Sequence, residues 1–155
     1  MIQRIQTIYL FLVLIFALLF IFFAKGTIET AEIDYIVKSF TIEMAETGES
    51  YRFSHFLGLV VMILPFFIMI LSLYTTFKYK NRPLQIKLGK INVFIHVILV
   101  VSIFFYLDSL KTHLQGTVSY GIAVIFPLVA MLFLLLANRA IKRDEQLVRS
   151  ADRLR

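Results

Sequence analysis

Residues 53–77 read FSHFLGLVVMILPFFIMILSLYTTF, twenty-five positions without an Asp, Glu, Lys or Arg, between Arg52 and Lys78. As a helix rising about 1.5 Å per residue this stretch is about 38 Å long. The hydrocarbon core of a bilayer is about 30 Å thick, so the segment spans it with room for tilt. A soluble fold has too little polar surface to hide a block of this kind.

Three further blocks of the same kind follow from this one. The first runs over residues 5–23, between Arg4 and Lys25. Another covers residues 91–107, with Leu88 as its earliest start, and the last covers residues 120–137 before Arg139. The chain is 59% apolar with a mean hydropathy of +0.84, against roughly 45–50% apolar for soluble domains. The first block exceeds the roughly 7–15 residues of a signal-peptide core, and no small-x-small cleavage site follows it. It is therefore read as a span. The expected fold is an all-α membrane protein, a single four-span domain built as an antiparallel four-helix bundle.

Three connections and a tail complete the reading. Residues 24–52 form a long polar loop. Within it, Tyr35 to Met44 alternates as one strand, with Ile36, Phe40, Ile42 and Met44 on one side. A turn at Thr47-Gly48-Glu49 and a return strand over residues 50–53 make a small β-hairpin. Residues 78–90 form a basic loop with a turn at Asn81-Arg82-Pro83, and residues 108–119 form a short third loop. Residues 138–155 predict a helix continuous with the fourth span. In it Ala137, Ala140, Ile141, Val148, Ala151 and Leu154 recur at helical spacing, and Glu145 and Arg149 pair at i,i+4.

Charge sorts these segments onto two sides. Arg4, the second loop and the tail carry twelve basic and three acidic residues; the other two loops carry four basic and seven acidic. The balance is +9 against −3, which accounts for the net +6 of the chain. Positive-inside bias puts both termini in the cytoplasm and the hairpin outside. A high basic charge placed for topology needs no DNA partner to explain it.

Chemistry is sparse. The chain has no cysteine, which excludes disulfides and thiolate metal sites. His96 lies within the third span with Asn92 one turn before it. The pair reads as an interhelical hydrogen-bonding site, with a proton relay or substrate contact as the sharper alternative. His55 and His113 fall on the acidic side without any metal-binding spacing. Pro65 and Pro127 sit near the middles of their spans, where proline shapes helix packing, and Gly58 and Gly121 permit close helix approach. No nucleophile–base set occurs, so neither an enzyme nor a cofactor is expected.

The basic residues Lys78, Lys80, Arg82, Lys87, Lys90, Arg139, Lys142, Arg143, Arg149, Arg153 and Arg155 form one face. Anionic lipid headgroups, an acidic membrane protein complex and ribosomal RNA are the partners such a face could take. The expected function is an accessory or scaffold subunit of a larger membrane complex. A small oligomeric transporter or channel lined by His96, Asn92, Ser72 and Ser102 is the alternative, followed by a sensor whose outer loop binds a ligand.

Three stretches, MIQRIQTIYL at residues 1–10, KNRPLQIK at 80–87 and ANRAIKRDE at 137–145 continuing as LVRSADRLR at 147–155, resemble a bacterial family of small four-span membrane proteins. That family is catalogued as a domain of unknown function, family 4293. The resemblance implies a bacterial inner-membrane protein and supplies no activity or site residue.

Overall fold

The computed structural model describes residues 3–51, 56–79 and 81–153. Four helices dominate it: α1 (Gln3–Phe22), α2 (Phe56–Phe77), α3 (Arg82–Leu114) and α4 (Ile125–Arg153). Each contains a window long and apolar enough to cross a membrane. The chain is a multi-pass membrane protein. Each helix packs on its neighbours in sequence, and α1 closes the ring against α4. Apolar side chains such as Leu10, Phe20, Ile68, Leu99, Ile103 and Leu134 fill the centre, while Phe66, Phe67, Ile70 and Phe105 point outward. Outward apolar residues are what a lipid-facing surface requires.

The helices extend beyond the apolar blocks, and the extra length changes two loops. Nine residues are added to the front of α3, so the second loop shrinks to a tight connection. Asn81 does not sit in a free turn: its Oδ1 accepts from Leu84 N at 3.2 Å. With Pro83 at the start, this is a well-formed N-cap. Lys87 and Lys90 therefore stand on helix. At its other end α3 runs through Asp108 and Lys111 to Leu114, closing on Gln115 in the left-handed region at φ 53°.

Pro127 is likewise relocated. The fourth helix begins at Ile125, after a short 3-10 turn over Ile122–Val124. Pro127 thus occupies the first turn, where the missing N–H has no intrahelical partner to lose, and it introduces no mid-span kink. Pro65, by contrast, is inside α2 and buried.

The expected hairpin is a five-stranded antiparallel sheet ordered β4-β3-β2-β1-β5. Its strands are β1 (Gly26–Glu29), β2 (Asp34–Val37), β3 (Ile42–Met44), β4 (Ser50–Tyr51) and β5 (Thr117–Tyr120). Tyr35 to Met44 is two strands, because the chain turns at 38–41, where Lys38 N bonds Thr41 O at 2.9 Å. The turn resets the alternation. Val37 pairs with Ile42, and both are buried, while Phe40 is exposed at the turn. Gly48 carries the second turn at φ 68°. The third loop supplies β5, which pairs with β1 and so ties the α3–α4 connection to the α1–α2 connection. Residues 52 and 53 of the return strand lie outside the described residues.

Candidate functional site: a buried polar seam and a basic end face

One face of α3 carries Gln85, Gly89, Asn92 and His96, at i, i+4, i+7 and i+11. All four are buried, and the three polar ones are at most 1% exposed. The partners of Gln85, Gly89 and Asn92 come from two other helices. Gln85 Nε2 donates to Thr75 O of α2 at 2.8 Å. Asn92 Nδ2 donates to Ser72 Oγ of α2 at 2.8 Å. Opposite Gly89 lies Asn138 of α4, whose amide occupies the volume that a Cβ at position 89 would fill. His96 Nδ1 bonds Asn92 O at 2.8 Å. A carbonyl oxygen only accepts, so Nδ1 is the donor in this bond.

Asn92 reaches α2 through Ser72, whereas the His96 bond stays within α3, and the seam is longer than these two residues. Three of its oxygens, Gln85 Oε1, Asn92 Oδ1 and Asn138 Oδ1, are buried without a hydrogen-bond partner. His96 also lines a small cavity at the centre of the bundle. The other lining residues are Phe16, Ala17, Phe20, Pro65, Ile68, Leu99, Pro127 and Ala130, all apolar. Ser102 is buried further along α3. Gln85, Gly89 and Asn138 were not singled out in the sequence, because the apolar block appeared to begin only at residue 88 or 91. Once α3 starts at Arg82, the four-residue face is legible.

The basic residues divide. Lys78, Lys87, Lys90, Arg139, Lys142 and Arg143 are exposed, and Lys78 Nζ lies 5.2 Å from the Tyr74 ring centroid. Arg82 is committed elsewhere. Its Nη2 pairs with Asp144 Oδ2 at 3.0 Å, and its Nη1 donates to Asp144 O at 2.9 Å. This double contact fastens the projecting part of α4 to the start of α3. Ile141 is buried beneath it, whereas Leu147 and Val148 are half-exposed. The stripe read along the tail is thus used at its first turns and open further out. Lys80, Leu154 and Arg155 lie outside the described residues, as do the side chains of Arg149, Ala151 and Arg153.

At the sheet end, Lys25 is a site the sequence reading passed over. Its side chain is fully buried. The ammonium donates to the carbonyl oxygens of Phe20 and Phe23 and to Ser39 Oγ, and it lies 4.4 Å from the Phe20 ring centroid. Ser39 Oγ in turn donates to Ile21 O at 2.8 Å. The last carbonyls of α1, the negative end of its dipole, are therefore closed by one lysine and one serine. Burial pushes the Lys25 ammonium down to about 7, because desolvation disfavours its charged form.

Among the described residues no group of three or more His, Cys, Asp or Glu could hold a metal ion. His113 is exposed in the last turn of α3, and His55 lies outside the described residues. Of the two glycines expected at helix contacts, Gly58 does face the Tyr106 ring of α3, but Gly121 meets the backbone of residues 24–26.

A family model described as a domain of unknown function, DUF4293, matches residues 2–154. The chain belongs to this family. The match takes in the polar seam and the sheet, beyond the three resembling stretches. No curated protein matches the chain.

Proposed function

We propose that this DUF4293 protein is a non-enzymatic accessory or scaffold subunit of a larger complex in the bacterial inner membrane, with both termini cytoplasmic and the sheet outside. The observation that carries the reading is the basic platform at the tail end. The Arg82–Asp144 contact fixes the α4 extension against α3, leaving Lys78, Lys87, Lys90, Arg139, Lys142 and Arg143 in solvent. A pre-organised array of cations suits docking to an acidic protein surface, since little freedom is lost on binding. The charge asymmetry supports the orientation.

The test is purification in mild detergent from native membranes at low and then high salt. A partner that accompanies the wild type and is shed by salt, or by Arg139→Gln with Lys142→Gln and Arg143→Gln, supports the reading. A chain that runs alone at low salt, with a tail dispensable in cells, overturns it. The transporter reading draws on His96 beside its central cavity. His96→Ala with unchanged flux in proteoliposomes counts against it.

A further inference from the structure

We propose that the seam between α2, α3 and α4 is an internal hydration site, a short file of water that gives His96 access to solvent from the tail end of the bundle alone. The argument starts from hydrogen-bond accounting. Gln85 and Asn92 each spend their amide donor on α2 and leave their oxygen without a donor, and Asn138 Oδ1 is in the same position. Gln85 and Asn92 are themselves at most 1% exposed. A buried acceptor without a donor costs about 1–3 kcal/mol. Water is the small donor that satisfies such groups.

Spacing favours the same ligand. Gln85 and Asn92 are seven residues apart, about 10.5 Å along the helix, and the Asn138 amide sits against Gly89 between them. The three unpartnered oxygens thus follow one another along the seam in the order Gln85, Asn138, Asn92, and water is small enough to bridge neighbouring polar groups. The file starts near the connection between α2 and α3 and reaches His96, whose Nδ1 is held by Asn92 O. There it stops. The cavity that His96 lines has otherwise only apolar walls, among them Phe16, Phe20, Ile68, Leu99 and Ala130, and an apolar cavity stays dry. His96 therefore stands at the inner end of a one-sided inlet and not along a through-path.

The absence of cysteine makes the test direct, because each introduced thiol is the only one in the chain. Thiols react with silver ion as thiolates, which form in water and not in a dry core. Ser72→Cys, Thr75→Cys and Ala130→Cys are compared in proteoliposomes, reading protection from later alkylation by mass spectrometry. The expected result is that Ser72→Cys and Thr75→Cys react at least about tenfold faster than Ala130→Cys. Equal rates at all three positions, slow or fast, overturn the proposal. A second measurement needs no substitution: water-edited solid-state NMR of the wild type in bilayers. Magnetisation transfer from water to the Asn92 and Gln85 side-chain amides supports the file, and its absence at both overturns it.

Discussion

Asn138 of α4 lies with its amide against the bare Cα of Gly89 on α3, in the space where any larger residue would place its Cβ. Two helices approach closely there because one of them lacks a side chain, as small residues permit in membrane bundles. In a free helix Gly89→Ala would stabilise by about 1 kcal/mol. Here the added methyl overlaps Asn138, and overpacking costs about 1–3 kcal/mol. Gly89→Ala should lower stability, and Asn138→Ala in the same chain should restore most of the loss. Thermal unfolding in detergent of the two single variants and the double variant checks this.

The Arg82–Asp144 contact joins an ion pair at 3.0 Å to a hydrogen bond that Arg82 Nη1 donates to the Asp144 backbone carbonyl. Hydrogen bonds to charged groups are worth about 1.5–3 kcal/mol. Arg82→Ala removes both contacts, and should cost an amount in that range and raise amide exchange in α4 beyond residue 141, with little effect at residues 125–135. Hydrogen exchange read by mass spectrometry distinguishes this local release from global loosening.

Asn92 and Ser72 share one buried bond. Interhelical side-chain bonds in bilayers contribute about 0.6 kcal/mol on average and at most about 1.7. A double-mutant cycle with Asn92→Leu and Ser72→Ala should return a coupling energy in that range. A coupling of zero would mean that the bond adds nothing to packing.

Lys25 ties the pH dependence of folding to the sheet end. Its pKa in the fold is about 7, below the value of about 10.4 for an unfolded chain. Between these values the unfolded state binds more protons, so stability contributed by this group rises with pH from 7 toward 10. Lys25→Met should flatten that rise. Chemical denaturation of wild type and variant at pH 7 and pH 9.5 makes the comparison.

Much of the architecture was legible in the chain. Four uncharged blocks, the continuity of α4 into its basic extension and the turn at Gly48 all follow from local composition. A helix in lipid must satisfy its own backbone, so span identity is a property of each segment alone. The charge asymmetry is equally local.

Contacts between segments were not legible. Thr117–Tyr120 is too short to announce a strand, and it becomes one only because β1 lies beside it. The Tyr35–Met44 stretch alternates like a single strand until the turn at 38–41 resets the pattern. Lys25 looked like a flanking charge, and its burial depends on Ser39 arriving from the sheet. The amphipathic front of α3 could not be separated from a basic loop until α4 was placed against it. The sequence by itself determined which segments enter the membrane, since transfer into hydrocarbon depends on each segment's own surface. Only the tertiary structure decided which groups meet inside, Gln85 bonded to Thr75, Asn92 bonded to Ser72 and Asn138 packed on Gly89, because contacts between helices depend on how they are set against one another.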